Sequence, residues 1–324
     1  MVLNGFKFHE VSNGFKKMKK VMLVGIGGYI GGKFTEYIKN NYPDWQIDAV
    51  DSMNRKWADA DFHGYDAVYN VSGLAHANAR QGSEELYYQV NGQLPIDVAS
   101  KAKAEGVPLF VQMSSQIVYG DMSGLGEEKM ITAETVPSEP TVYGKSKMMA
   151  ERGLMALVEP VKNGSESSEG SKGFQVAIMR PPLIYSEYAR DNFPRLVNFA
   201  KKMPIFPKLE NKQSMVYVDN LCELIKLIIE NNKGGIYYPQ QECYIETSKI
   251  VKDIADAVGN KMWQTRIFNP ALRLLSKIPQ LGFIHKAFGS IAYDMEISNH
   301  FDGKYRVVSY EESIQRIAKA HMVV

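Results

Sequence analysis

Tyr143 and Lys147 stand four residues apart in a segment that predicts a helix, and Ser115 precedes them in the chain. Residues at this spacing share one helix face, so the lysine ammonium can lie beside the phenol oxygen. A fixed positive charge favours the phenolate and lowers the pKa of the phenol from its ordinary value of about 10. The hydroxyl of Ser115 would hold a substrate alcohol against this base. The three residues predict proton abstraction from an alcohol, although such a Tyr/Lys pair alone is more often a solvated helix face.

A glycine-rich turn near the N-terminus adds a second chemical signal. The apolar, β-branched run Lys20–Val24 predicts a buried parallel strand, and Lys33–Asn40 predicts a helix. Between them, Gly25, Gly28 and Gly31 have the spacing for a tight turn, close backbone approach to a pyrophosphate and close helix packing. Glycine loops also occur as plain turns, but the flanking strand and helix favour dinucleotide binding.

Asp51 indicates which dinucleotide is bound. It ends the apolar run Ile47–Val50 and lies twenty residues beyond Gly31, where a carboxylate accepts the ribose hydroxyls of the adenosine. Because a carboxylate repels a 2′-phosphate, NAD is predicted over NADP. Arg55 and Lys56 could soften that repulsion, so NADP stays open.

Alternation of apolar strands with helices up to about Tyr185 predicts an α/β fold, a Rossmann-type doubly wound parallel sheet with a smaller C-terminal substrate-binding lobe. After Tyr185 the regular alternation of strands and helices ends. The sequence then predicts helices at Arg190–Met203, Asn220–Asn231 and Glu246–Val258 and a strand at Ser214–Asp219. The predicted division is a disordered lead-in (1–17), an NAD-binding domain (18–185, with elements returning from about 214–240) and a lobe (186–324). Residues 159–173 are poor in apolar side chains and predict a mobile loop.

Composition is consistent with a globular enzyme. A chain of 324 residues with 45% hydrophobic content can bury one large core and a smaller lobe, and a net charge of +2 gives no reason to expect nucleic acid. Two scattered cysteines predict neither a disulfide framework nor a zinc site and fit a reducing cytoplasm, and the six histidines lack metal-ligand spacing, so no metal is expected. No apolar run approaches the roughly 20 residues of a membrane-spanning helix, and no signal peptide is predicted.

The order of the motifs resembles that of the extended short-chain dehydrogenases/reductases, specifically the NAD-dependent epimerase/dehydratase family typified by UDP-glucose 4-epimerase. The resemblance runs from about Lys20 to the end of the chain. The matching motifs are the glycine loop, Asp51, Asp61-Phe62, Asp66–Gly73, Tyr87–Gly92, Ser114–Gly120, Tyr143–Lys147 and Met179–Tyr185.

This resemblance implies a role for each matching residue. Ser115, Tyr143 and Lys147 would be catalytic, with Ser115, Asn192 and Lys212 contacting substrate. Cofactor contacts are implied for Gly25, Gly28, Tyr29, Ile30, Gly31, Asp51, Asp61, Phe62, Ser72, Gly73, Asn91, Tyr143 and Lys147. Asp61 would accept from the adenine amino group and Asn91 would buttress the site. Alternatively, Asp61 is a turn residue and Asn91 caps the following helix.

Differences from the family pattern reduce the number of reactions that the chain could catalyse. Dehydratases of the family carry an acidic pair after the catalytic Ser/Thr, whereas this chain has Gln116 and Ile117, so dehydration is not expected. Gln213 stands where an arginine pairs a substrate phosphate, and only the neighbouring Lys212 could supply a charge there. The diphosphate contacts therefore differ from those of the family.

The expected function is an NAD-dependent epimerase of a nucleotide-linked sugar, acting through transient oxidation at C4. A nucleotide-sugar 4-ketoreductase would use the same three residues and exchange its cofactor in each cycle. A non-catalytic dinucleotide-sensing protein is a third hypothesis, and the intact Ser115, Tyr143 and Lys147 set argues against it because a sensor needs no tuned phenol.

Two surfaces are also predicted. The segment Phe268–Tyr293 interleaves apolar and basic residues, which indicates either a membrane-touching surface or an apolar helix pair covering the lobe; Pro279 and Gly282 favour the pair.

The helices Leu94–Glu105 and Tyr143–Glu159 should lie side by side. In relatives, this flank forms a two-fold four-helix bundle, so a homodimer is expected, which a charge at Leu154 would weaken if that side chain faces out. The alternative is that the sheet covers these stripes fully and the protein is a monomer. The apolar surface predicted for it comprises Ile96, Ala99, Ala102, Met149, Leu154 and Leu157.

Overall fold

The computed structural model describes residues 18–74, 84–139, 141–158, 173–189, 193–276, 278 and 282–322. Its strands are β1 (Lys20–Val24), β2 (Gln46–Val50), β3 (Ala67–Asn70), β4 (Leu109–Met113), β5 (Met130–Ile131), β6 (Gln175–Met179), β7 (Leu183–Tyr185), β8 (Ile205–Pro207), β9 (Met215–Tyr217), β10 (Gly235–Tyr237), β11 (Trp263–Thr265) and β12 (Ala292–Tyr293). Its α-helices are α1 (Tyr29–Asn41), α2 (Lys56–Asp59), α3 (Glu84–Tyr87), α4 (Leu94–Ala104), α5 (Val142–Met155), α6 (Phe193–Lys202), α7 (Val218–Asn231), α8 (Thr247–Ala257), α9 (Asn269–Leu275), α10 (Gly282–Phe288) and α11 (Tyr310–Met322).

A six-stranded, all-parallel sheet in the order β10-β6-β4-β3-β1-β2 forms the centre of the fold. Its inner strands are nearly continuous apolar runs, as expected where helices cover both faces. The chain leaves β1 for β2 on one side and returns to β3 on the other, so the carboxyl ends of β1 and β3 flank a topological switch point. Ligands bind at such a point in open α/β sheets. The predicted fold class is confirmed.

Two apolar cores cover the faces of this sheet. On one face α1 and α7 pack over the strands, and on the other face α4 and α5 do so. A third core lies in the second half of the chain, where α6 and α8 pack against each other and α11 packs on α8. Strand β10 returns from that half to the edge of the main sheet beside β6.

Helices α4 and α5 are adjacent, as expected, but the predicted dimer surface needs correction. Ala99, Ala102 and Leu154 are fully buried inside this chain, in the core beneath the sheet. Ile96 is half-buried and lies against Gly153 of α5. Pattern alone showed that the helices carry apolar stripes, but three of the six residues named for the dimer surface are already buried beneath the sheet. A charge at Leu154 would therefore destabilise the fold rather than report on a dimer.

The segment predicted as an apolar helix pair consists of two short helices with different environments. In α10, Ile284 and Phe288 are buried in the third core, whereas no residue of α9 is buried. Among the residues that the structure describes, none of the helices has the length and apolarity to cross a lipid bilayer. The predicted lead-in at 1–17, nearly all of the predicted loop at 159–173, and Asn192 lie outside the described residues.

Candidate active site

The glycine loop joins β1 to α1 at the switch point. Gly25 has a φ of +118°, and a Cβ on it would lie 2.8 Å from the backbone nitrogen of Ser72, so both its conformation and its surroundings require glycine. A Cβ on Gly31 would lie 3.0 Å from a side-chain carbon of Val71, which explains the close approach of α1 to the sheet. Helix α1 has no side-chain cap at Gly28 and no acidic residue in its first turn. This N-terminus is suited to a pyrophosphate.

Tyr29 and Ile30 form the start of α1. The Tyr29 hydroxyl makes a short hydrogen bond with Ser186 Oγ, which ties the glycine loop to the segment after β7. Ile30 is half-buried against the core between α1 and the sheet. The loop is thereby held from both sides.

Asp51 follows β2 directly and lies beside the glycine loop, because Gly25 N donates to the carbonyl of the preceding Val50 at 2.9 Å. The Asp51 side chain is half-buried, and its Oδ1 accepts from Met53 N at 2.9 Å. Arg55 and Lys56 are exposed nearby in sequence. The carboxylate is thus at the carboxyl edge of the sheet, where the resemblance puts the adenosine ribose.

The Asp51→Ala variant should bind NAD and NADP with more similar affinities than the wild-type protein, which we expect to prefer NAD. Removing the carboxylate removes both a ribose hydrogen-bond acceptor and the repulsion of a 2′-phosphate. Titration of both cofactors gives the two ratios. The Asp48→Ala variant is the matched control, since Asp48 lies on the same strand and pairs with Gln46 and Tyr65. Equal affinities in the wild type would contradict the prediction.

Asp61 and Phe62 have different environments. Asp61 is exposed and accepts from the backbone N–H of His63 at 3.0 Å, and this bond lowers the pKa of its carboxyl. Phe62 is fully buried, so its ring belongs to the core. Asp61, His63 and Glu105 bring potential ligand atoms within 4.8 Å of one another, but Asp61 and His63 are exposed and Lys101 already pairs with Glu105. The geometry of Asp61 is that of a turn residue, and its adenine contact stays a prediction.

Ser72, Gly73 and Asn91 lie together beyond the end of β3. Ser72 Oγ donates to Asn70 Oδ1 at 2.5 Å. The Asn91 carboxamide accepts from Leu74 N at 2.8 Å and donates to Leu74 O at 3.2 Å, so it fixes this strand end and does not cap α4. Asn91 occupies a π-helical turn, Tyr88–Gln93, a feature that often marks functional sites.

The Lys147 ammonium lies close to residues of several of the segments described above. It donates to Met113 O at 3.0 Å, two residues before Ser115, and a Cβ on Gly73 would lie 3.2 Å from it. The same nitrogen lies 5.8 Å from the centre of the Tyr143 ring, one helical turn earlier on α5. The structure therefore brings the ends of β3 and β4 and one face of α5 around a single cation.

Ser115 lies at the carboxyl end of β4. It caps the 3₁₀ turn Gln116–Tyr119, with Ile117 N donating to its Oγ at 3.2 Å. A Cβ on Gly144 would lie 3.3 Å from Ile117 O, so the first turn of α5, which carries Tyr143, packs directly on this 3₁₀ turn. Both Ser115 and Tyr143 are half-buried. The pair is accessible at the edge of the sheet.

Burial lowers the pKa of Lys147 to about 8, while the nearby Glu151 carboxylate opposes that shift. Burying a lysine ammonium whose hydrogen-bond partner is a backbone carbonyl is costly for the fold. Such a residue is expected at a working site rather than on a structural face.

A buried network behind Lys147 was missed by sequence reasoning. Glu151 is one turn beyond Lys147 and forms an ion pair with Arg180, whose side-chain nitrogens lie 2.5 to 3.2 Å from the carboxylate oxygens. Ser114 Oγ also donates to Glu151, and Arg180 donates to the Tyr119 hydroxyl at 2.6 Å. The sequence did contain one signal, since Glu151 continues the four-residue spacing from Tyr143 through Lys147 along the buried face of α5.

The predicted substrate contacts are less closely grouped. Lys212 pairs with Glu128 at 2.9 Å on the surface. Gln213 is buried, and its amide donates to Gly289 O at 2.9 Å and to Ala287 O at 3.2 Å, so it holds a loop where the family uses a phosphate-binding arginine. Gln116 is buried, and its Nε2 has no hydrogen-bond partner among the described residues. The structure therefore does not bring Lys212 to the Ser115, Tyr143 and Lys147 group by any contact it shows.

Comparison with known proteins agrees with this geometry. The sequence profile of the NAD dependent epimerase/dehydratase family matches residues 21–238. The chain is 24% identical to UDP-glucose 4-epimerase of Vibrio cholerae, covering 95% of this chain and 98% of the relative. It is 26% identical to N-acetyl-α-D-glucosaminyl-diphospho-ditrans,octacis-undecaprenol 4-epimerase of Escherichia coli O157:H7, covering 89% and 82%. The structure of UDP-glucuronic acid 4-epimerase from Bacillus cereus with NAD superposes with a TM-score of 0.65 at 14% identity, covering 93% and 96%.

Proposed function

The chain belongs to the NAD-dependent epimerase/dehydratase family, and from that premise we propose that it epimerises a nucleotide-linked sugar through transient oxidation at C4. The observation that carries the proposal is the buried Lys147 ammonium, which lies between the Tyr143 ring and the strand end bearing Ser115. A cation enclosed at this position stabilises a phenolate, and a phenolate beside a hydroxyl is suited to removing the proton of an alcohol.

The described residues fit the NAD of this family. The Gly25–Gly31 loop would hold the pyrophosphate at the N-terminus of α1, Asp51 the adenosine ribose and Lys147 the nicotinamide ribose. Bound there, the nicotinamide would take up the hydride from C4 and return it.

The chain's own residues would move the proton. Tyr143, as phenolate, takes the proton of the C4 hydroxyl while Ser115 Oγ hydrogen-bonds the same oxygen and fixes its position. Lys147 stabilises the phenolate before this transfer. The 4-keto sugar then rotates in the site so that its other face is presented. Tyr143 donates the proton back to the C4 oxygen, which gives the alcohol of opposite configuration.

Dehydration is distinguished from epimerisation by particular residues, and ketoreduction is distinguished from it by release of the cofactor. Dehydration needs an acid after Ser115, and Gln116 and Ile117 cannot supply one. A 4-ketoreductase would use the same three residues, but it must release its cofactor in each cycle. Release of NAD(H) on denaturing the purified protein would support the epimerase, whereas protein that purifies without dinucleotide would favour the reductase. A non-catalytic sensor would show neither epimer formation nor reduction.

The group attached to the sugar diphosphate is the least constrained part of the substrate. Gln213 has its donors committed to a loop, so an arginine–phosphate contact is absent at that position. A panel of UDP-, dTDP- and GDP-hexoses, scored for epimer formation, tests the nucleotide-sugar proposal. One further arm should be a polyprenyl-diphosphate-linked hexosamine, since the second curated relative is named for such a substrate. Turnover of that compound alone would overturn the nucleotide assignment and keep the C4 chemistry.

A homodimer through α4 and α5 is a further expected property of the protein. Light scattering at micromolar concentration should give twice the 36.5 kDa of one chain. Because Leu154 is buried, the position for a charge is Met155, which is 46% exposed on α5. The Met155→Glu variant should weaken the dimer and keep the fold. A wild-type protein that is monomeric in this measurement would contradict the bundle.

A further inference from the structure

The second half of the chain carries a continuous, exposed apolar surface outside the candidate active site. It is built from residues 199–208, 261–276 and 278, and is called here the basic–apolar face. Its exposed side chains include Trp263 (78%), Ile267 (77%), Leu274 (69%), Ile205 (47%) and Phe268 (43%). Isolated exposed apolar residues are ordinary, but a group of this size indicates an interaction surface.

Hydrogen bonds and packing join these residues into one surface. Strands β8 and β11 pair in parallel, so Ile205 and Trp263 are cross-strand neighbours. The Asn269 side chain donates to Lys208 O at 2.9 Å and attaches α9 to the end of β8. Between α9 and β8 lies an apolar cavity of about 390 Å³, lined by residues that include Phe268 and Leu275. Helix α9 lies on this surface with no residue buried.

Basic residues predominate among the charges of this face, and the exposed Glu210 is an acidic neighbour through its ion pair with Arg266. Neither residues 199–208 nor residues 261–293 contain an aspartate or glutamate, although the chain has 36 acidic residues in all. The basic residues of the face are Lys201, Lys202, Lys208, Lys261, Arg266 and Arg273. Arg266 pairs with Glu210 at 2.5 Å, and the other described members of this set form no ion pair with any residue that the structure describes. A surface selected only for solubility would mix both signs.

We propose that the basic–apolar face binds a lipid bilayer that contains anionic phospholipids. Apolar side chains would enter the interface between headgroups and acyl chains, and the lysines and arginines would contact the phosphates. A second copy of the chain is a poorer occupant, because two such faces would oppose like charges. A neutral apolar protein surface would leave the charges without partners.

One residue of the face lies against the segment that follows the candidate active site in the chain. A Cβ on Gly126 would lie 3.6 Å from a guanidinium nitrogen of Arg273, and the turn containing Gly126 follows the 3₁₀ turn that Ser115 caps. This inference rests on the surface alone and does not depend on which sugar is turned over.

Trp263 provides an internal probe. Trp57 is buried and Trp45 is half-buried, whereas Trp263 is 78% exposed on the face. On adding vesicles of phosphatidylglycerol and phosphatidylcholine, we expect a blue shift of tryptophan emission, with quenching by brominated acyl chains. Vesicles of phosphatidylcholine alone should give neither. The Trp263→Phe variant should lose the optical signal and still float with the anionic vesicles.

Flotation with the same vesicles measures the binding. The double variant Trp263→Ser, Phe268→Ser should bind at least about tenfold more weakly, because its apolar contact is lost. Lys201→Gln with Lys202→Gln should lower affinity by about fivefold for each charge removed, since a basic residue near an anionic surface contributes about 1 kcal/mol. Val136→Ser is the matched control, because Val136 is 79% exposed outside the face. Raised salt should weaken binding of the wild type.

Three results would overturn the proposal. They are absence of flotation with anionic vesicles, equal binding to both vesicle types, and unchanged binding in both double variants. Self-association that the Trp263 and Phe268 substitutions abolish, without vesicle binding, would assign the face to a second copy instead. The circular dichroism spectrum and thermal unfolding of each variant confirm that it is folded. Failure of vesicle binding would leave the epimerase assay unaffected, so the two proposals can be judged separately.

Discussion

The Tyr143→Phe variant is expected to lose a factor of about 10²–10⁴ in turnover, the range for a positioned acid or base. The substitution removes the phenol oxygen and retains the ring, which packs edge-on against Tyr87 at 6.3 Å. The contact of the ring with the Lys147 side chain can also be kept. Cofactor binding should therefore survive while proton transfer is lost. Turnover of the best substrate of the sugar panel and dinucleotide content are the two measurements.

Tyr65→Phe is a suitable comparison for this variant. It removes a hydroxyl bonded to Asp48 on β2, away from the Lys147 group, and should leave turnover near normal. Near-normal turnover in Tyr143→Phe would show that another group moves the proton. Loss of bound dinucleotide in that variant would instead show a structural role for the hydroxyl.

The Lys147→Met variant should be inactive and more stable than the wild-type protein at pH 7. Burial lowers the pKa of this lysine from 10.5 to about 8, which corresponds to about 3 kcal/mol of unfavourable free energy while the group is charged. Methionine fills a similar volume without a charge, but it leaves Met113 O without its donor. We expect a net increase of about 1–3 kcal/mol in the free energy of unfolding, measured with urea on cofactor-free protein.

The pH dependence of stability gives this prediction a second readout. Between pH 8 and pH 10.5 the unfolded lysine binds a proton that the folded one has lost, so the stability of the wild type should rise with pH in that window. Below pH 8 both states are protonated and the full cost remains. The Lys147→Met variant should lack this rise. Turnover of the wild type should fall above pH 8, because the cation that stabilises the phenolate is then neutralised.

Lys145→Met is the matched variant for Lys147. Lys145 is exposed on the same helix, two residues away, and its replacement should change neither turnover nor the pH dependence of stability to a comparable extent. If Lys147→Met were destabilised at pH 7, Lys147 would be a structural residue and the tuned-phenol mechanism would lose its main support.

The sequence was sufficient where one short segment determines the geometry. Gly25 and Gly31 are required by a turn and a helix contact within a few residues, so their spacing predicts the loop. Tyr143 and Lys147 are linked by a single helical turn, so their proximity follows from the periodicity of α5. The parallel sheet follows in the same way from buried runs alternating with helices.

Prediction failed where distant segments decide the environment of a residue. The stripe containing Leu154 is apolar whether it faces a sheet or a partner, and burial in the core shows that it faces the sheet. Arg180 follows a strand 29 residues after Glu151, and nothing local pairs the two. Phe62 matches a motif of the family, but its side chain is fully buried in the core. In each case the local sequence indicates which kind of environment a side chain prefers, but the tertiary fold determines which residues surround it.

The Glu151–Arg180 pair has a consequence for the order in which this enzyme can be assembled. The carbonyl of Arg180 accepts a hydrogen bond from the Tyr293 hydroxyl, 113 residues later, and Tyr293 in turn donates its backbone N–H to Ser214. The helix that carries Tyr143 and Lys147 is thus anchored through contacts of long sequence separation, which form late because their loop-closure entropy is large. A nascent chain that has completed β3 can have the glycine loop and Asp51 in place well before it has the group of Ser115, Tyr143 and Lys147.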